Sequence, residues 1–153
     1  MTGIAGLNFV TDLIKVISDN WRLGNGGKMP TIEKAWEIKQ VGAGTNTYDY
    51  IVIHLDTENI DIFSIQHDDE NDEPTWDWLH DISISLEIAS PTSETRVLQI
   101  VNELSRILKK KVILNVNNRD YIQITLNGAT SMNAEYINMY RYLVTCESKI
   151  LNP

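Results

Sequence analysis

A single change of hydrophobic period constrains this chain more than any other feature. Residues 78–90 read "WLHDISISLEIAS", with Ile82, Ile84, Leu86 and Ile88 separated by Ser83, Ser85 and Glu87. Strict alternation of this kind demands a strand with one apolar and one wetter face. The next residues read "SPTSETRVLQIVNELSRILKKK" and switch to helical spacing, with Val97, Ile100, Val101, Leu104, Ile107 and Leu108 on one stripe. Ser90, Thr92 and Ser93 offer N-caps and Pro91 suits a helix start. Glu94 near the start and Lys109, Lys110 and Lys111 at the end match the helix dipole. A strand that feeds directly into an amphipathic helix predicts the helix lying across the sheet that contains the strand.

The rest of the chain supplies further elements. Leu7, Val10, Ile14, Ile17 and Trp21 define an N-terminal helix, with Asp12, Lys15 and Asp19 off its stripe. "GNGGK" at 24–28 and Pro30 stop that helix, and "GAGTN" at 42–46 makes a second joint. Between them, "MPTIEKAWEIKQV" at 29–41 suits either a short helix or an irregular strand. In "YDYIVIHLD", Ile51, Ile53 and Leu55 point one way and Tyr50, Val52 and His54 the other. A turn at "TEN" and a run "IDIFSIQH" complete a predicted hairpin. After the second helix come "VILNV", a turn at "NNRD", a strand "YIQITLNG", a polar connection "ATSMNA" and a last strand within "YINMYRYLVTCESKI". The predicted class is α+β: one domain over 1–153, a mainly antiparallel sheet, one long helix packed on it, and an N-terminal helix. Flexible glycine-rich joints fall near 24–27 and 42–46, and an acidic loop over 67–75.

At 153 residues the chain is long enough to bury a core. No apolar run is long enough for a membrane helix, and "MTGIAGLNF" lacks the pattern of a secretory signal. With Cys146 as its single cysteine the chain forms no internal disulfide, which suits a reducing cytosol or a particle assembled in a cell. The net charge of -8 is unevenly placed: residues 1–90 carry 16 acids against 5 bases, and residues 91–153 carry 5 against 8. An acidic chain is a poor general binder of nucleic acid. Complementary fields at its two halves would steer copies or partners together.

The stretch "HDDENDEPTWDW", residues 67–78, is the densest candidate for function. Asp68, Glu70 and Asp72 alternate, but the glycine of a calcium loop does not follow and the flanks are strand-like. A solvated loop that docks a basic partner is the reading its charge supports. The "HD" pairs at His67 and His80 invite a metal phosphohydrolase reading. Three histidines, His54, His67 and His80, all in or beside strands, fit surface or strand-end positions better. "GNGGKMP" departs from a phosphate loop, because Met29 stands where Ser or Thr is needed and a helix precedes it. Cys146 late in the last strand reads as a small buried residue rather than a nucleophile. Arg106, Lys109–Lys111 and Arg119 form a modest basic patch, and Tyr136, Tyr140 and Tyr142 suit cross-strand packing or an interface as well as base stacking. No catalytic residue, cofactor or metal site is expected. Candidate partner contacts are Asp68, Asp69, Glu70, Asp72, Glu73, Lys109, Lys110 and Lys111.

The order of elements resembles the tail terminator, or tail completion, proteins of long-tailed bacterial and archaeal viruses. The likeness rests on "FVTDLIKVISDNW", a glycine-jointed loop segment, a hairpin with an extended tip, a strand leading into "SPTSETRVLQIVNELSRIL", and a terminal hairpin ending in "YRYLVTCESKI". It implies a non-enzymatic virion protein, assembled in the host cytoplasm and placed at the tail or neck. It further implies a ring, typically a hexamer, that caps the tail tube and meets the tail tube protein and the head-neck connector. DNA would pass through the lumen without specific binding. The residues alone leave two other readings: an interaction module that binds a basic protein through 68–73, and a divalent-metal enzyme using His67, Asp68 and nearby carboxylates.

Overall fold

The computed structural model describes residues 5–23, 29–37, 49–67, 74–108, 114–116, 119–132 and 140–151. A six-stranded sheet carries two helices. In chain order the elements are α1 (Ala5–Asn20), β1 (Thr31–Lys34), a 3-10 turn (Ala35–Glu37), β2 (Tyr50–His67), β3 (Pro74–Ser90), α2 (Glu94–Leu108), β4 (Leu114–Val116), β5 (Arg119–Ser131) and β6 (Tyr140–Leu151). The strands lie in the order β1-β2-β3-β6-β5-β4. β1 runs parallel to β2, and every other neighbouring pair is antiparallel. The α+β class is therefore as expected. The helix layer differs, because α1 and α2 are of nearly equal length, 16 and 15 residues, and both contact the sheet and each other.

The core forms where the alternating and helical apolar patterns meet. Ile82, Ile84, Leu86 and Ile88 of β3 and Ile51 and Ile53 of β2 are buried under Phe9, Leu13 and Ile17 of α1 and Val97, Ile100, Leu104 and Leu108 of α2. Val144, Cys146 and Ile150 extend it along β6. Each such side chain contributes roughly 1.5–3 kcal/mol when fully buried. The buried stripe of α1 runs through Phe9, Leu13, Val16 and Ile17, so Asp12 lies on its flank. Asp12, off the stripe as expected, is nonetheless 1% exposed. At the start of α2 the Ser93 hydroxyl accepts from the Arg96 backbone N–H at 3.1 Å, so of the three candidate caps Ser93 does the work.

Three further expectations are revised. The ambiguous segment after Pro30 is both things in turn, a short edge strand and then a 3-10 turn. The polar connection "ATSMNA" begins later than expected, since β5 continues through Ser131. Most consequential, "TEN" at 57–59 is no turn. β2 continues through it as one strand of 18 residues, and its register against β3 slips between Leu55 and Thr57 and again between Ile62 and Ser64. A bulge absorbs one residue and changes which face the following side chains occupy. The glycine-rich stretches near 24–27 and 42–46 lie outside the described residues.

β1 covers only Tyr50–Ile53 of β2, and β6 reaches β3 only from Leu79 onward. Beyond those limits, residues 62–67 and 74–78 pair with each other and, among the described residues, with no third strand. The result is a two-stranded arm, about 20 Å long at the rise of a strand.

Candidate interaction surface

The acidic run joins the two strand ends of this arm, where His67 pairs with Pro74. Asp68, Asp69, Glu70, Asp72 and Glu73 themselves lie outside the described residues, as do Lys109, Lys110 and Lys111 after the end of α2. What can be built from side chains is the open face of the sheet, the base of the arm, and the seam between the helices.

On the sheet face away from the helices, Glu87 of β3 is a hub. Its carboxylate accepts from the Arg141 guanidinium of β6, from the Tyr50 hydroxyl at 3.4 Å and from His54 Nε2 at 3.4 Å. Charge-assisted contacts of this kind are the stronger hydrogen bonds. Farther along, Lys149 donates to Asp81 at 2.6 Å, which pushes the ammonium pKa up. Ser85 donates to Asp56. A polar groove of about 370 Å³ lies beside the Asp81–Lys149 pair, lined also by Thr57, Asn59, Ser83, Thr125 and Glu147. Its lining is therefore polar and charged, with two carboxylates and one ammonium among its groups.

His80 at the base of the arm departs from the surface position expected for it. It is 1% exposed, and its Nδ1 donates to Glu58 Oε1 at 2.7 Å. The bulge in β2 makes this possible. With the slip after Leu55, Glu58 pairs with Ile82 and comes onto the face that His80 shares. His54 faces the opposite way, toward Glu87, so these two histidines do not converge. Among the described residues, no three His, Cys, Asp or Glu side chains gather as a cation would require.

Two sequence candidates prove to be structural. Arg106 donates to Glu103 at 2.6 and 2.9 Å and to the Asn20 carbonyl at 2.7 Å. Glu103 also accepts from the Arg22 backbone N–H at 2.7 Å. This clasp ties the end of α1 to α2, and the Arg106 hydrogen bond holds the Glu103 carboxyl down at about 2. Cys146 is fully buried, and loss of hydration pushes its thiol up to about 12. Tyr142 donates to Glu94 at 3.0 Å and packs against the core, whereas Tyr140 is exposed. Tyr136, and the side chains of His67 and Arg119, lie outside what is described.

The Glu58–His80 pair and the Glu87 hub escaped sequence reasoning because both depend on register. The residues were visible, but their facing was not, since the reading of 57–59 as a turn hid the bulge that brings Glu58 inward.

No sequence family matches this chain, and no curated protein does. The fold does have a solved counterpart. A chain from the virion of a native gene transfer agent particle superposes with a TM-score of 0.54 at 10% identity, covering 98% of this chain and 100% of that one. At that identity the likeness is one of fold.

Proposed function

We propose that the chain is a structural virion protein, a ring-forming tail terminator or neck component that caps a tail tube and joins it to the head connector. The observation that carries this reading is the fold likeness to a chain of a virion particle, over 98% of this chain and 100% of that one. The order of elements supports it, as does a sheet whose polar groups are paired for contact rather than poised for catalysis. The net charge of -8 suits a lumen through which DNA slides without being gripped. In such a ring, Asp68, Asp69, Glu70, Asp72 and Glu73 at the end of the arm, and Lys109, Lys110 and Lys111 after α2, are the partner contacts.

The test is a comparison of particles assembled with and without this chain, by electron microscopy. Tails of irregular length lying apart from filled heads are the expected result of its absence. Intact particles with normal tails would overturn the reading. A second reading, a docking module for a basic protein, draws on the acidic run between two paired strands. Replacement of its acids by Asn and Gln abolishes binding under that reading, while the terminator reading predicts loss of ring assembly.

A further inference from the structure

The two edges of the sheet are stepped, and the steps are complementary. Along β2, β1 covers only Tyr50–Ile53, and farther on Asp56, Thr57, Asn59, Ile60 and Asp61 are exposed. Along β5, β4 covers only Arg119–Tyr121, and every residue of 127–132 is exposed. Register carried across the strands sets the heights. Ile32 is level with Ile51, Ile88, Tyr142 and Ser131, and Lys34 with Ile53, Leu86, Val144 and Ala129. β1 therefore projects at the height where the far edge is bare. Leu114 is level with Tyr121, Ile150, His80 and Ile60, so β4 projects where the near edge is bare.

The backbone is in phase with this match. The Met132 N–H donates to the Arg141 carbonyl at 2.9 Å, so by alternation Ala129 and Ser131 turn their N–H and C=O away from β6. The Thr31 N–H donates to the Asp49 carbonyl at 3.1 Å, so Ile32 and Lys34 turn theirs away from β2. The outward groups of the two edges thus stand at the same heights. Sheet edges are commonly guarded by charge or proline, yet 127–132 reads "NGATSM" and holds neither.

We propose that copies of this chain join edge to edge, with β1 of one copy pairing antiparallel with 129–132 of β5 in the next. The inference deepens the ring reading and rests on it. A second copy is the occupant because the chain itself supplies the matching step, at the same heights and in the same backbone phase. Direction agrees as well. β1 runs with β2, whereas β5 runs against it, so rotation about an axis along the strands brings β1 and β5 together antiparallel. Ile32 then meets Ser131 and Lys34 meets Ala129, each pair exchanging N–H···O bonds in both directions. Glu33 meets Thr130, and no like charges are opposed. β4 takes the gap beside Ile60 of the neighbouring β2. The two edges are different surfaces, so the contact is heterologous, and such contacts close into rings or run on as filaments.

The experiment mixes a Glu33→Cys chain with a Thr130→Cys chain carrying a different tag, and oxidises the full-length mixture mildly. These two positions form a non-hydrogen-bonded pair, whose Cα atoms stand about 4.5 Å apart, within the span of a disulfide. Cys146 is buried and takes no part. A mixed disulfide is expected. Glu33→Cys with Ala129→Cys should give none, because those side chains take opposite faces of the sheet. Ser131→Pro removes an outward N–H that β6 does not use, and should lower the solution mass to 17.4 kDa with circular dichroism unchanged. Rings that persist in Ser131→Pro, with no mixed disulfide, would overturn this contact and leave the ring reading standing. A disulfide formed by Thr130→Cys alone would mean that β5 pairs with itself, and would overturn the contact too. A wild-type chain that stays a monomer at every concentration would overturn the contact and the ring together. If Ser131→Pro impairs folding, the cysteine pair on the two edge strands still decides the question.

Discussion

Replacing Glu103 by Gln removes a charge from the clasp between α1 and α2 while keeping its volume. In the folded chain the Arg106 hydrogen bond, with help from the Arg22 and Leu23 backbone, lowers the Glu103 pKa from 4.5 to about 2. The whole of that difference corresponds to roughly 3 kcal/mol of preference for the ionised folded state. Arg106 is 37% exposed, and water screens the pair, so the effective contribution is about 1–2 kcal/mol. The sign follows from linkage. A carboxylate with a depressed folded pKa stabilises fully above its unfolded value and loses that stabilisation as pH falls through its folded value. Glu103→Gln should therefore be less stable than the wild type by about 1–2 kcal/mol at pH 7. The gap should close between pH 4.5 and about 2. Urea unfolding of both chains at a series of pH values measures it, with equal m-values as the check that the unfolded states match. A gap that stays constant down to pH 2, or no gap at pH 7, would refute the assignment of the clasp to Glu103.

Other consequences are simpler to read. Leu86→Ala opens a cavity at the centre of the core, where Leu86 is fully buried, and should cost about 2–5 kcal/mol in chemical denaturation; a loss under 1 kcal/mol would mean the site collapses around the smaller side chain. Cys146, buried and with its thiol pushed up to about 12, should react with a thiol reagent at pH 8 only as fast as the chain unfolds. Immediate labelling of folded protein would contradict its burial. Arg96→Ala leaves Asp49, its 2.8 Å partner, without its cation in a largely buried position, at a cost of about 3–5 kcal/mol. Asp49→Asn in the same background should recover part of that loss, and failure to recover any would separate the two residues energetically.

The central strand and α2 were legible because each repeats one period long enough to exclude the other. Ile82 to Ile88 and Val97 to Leu108 are buried as their spacing requires. β2 was half legible. Its first residues, Ile51 and Ile53, face the core as expected, but a polar "TEN" within a strand carries the composition of a turn. Pairing against β3 overrides that local preference, because Thr57, Glu58 and Asn59 take partners at Ser83, Ile82 and Asp81. The same error concealed the arm, whose length follows only when 50–67 is one strand. Burial of His80 and Asp12 was not legible at all, since a polar residue on an apolar face announces nothing about its partners until the register is fixed.

The most direct measurement of the proposed role is the mass of the purified chain across a concentration series, with negative-stain images of the same samples. Closed rings of uniform diameter, with a mass that is a whole multiple of 17.4 kDa, are the predicted result. A single-chain mass at every concentration, with no rings in the images, would contradict it.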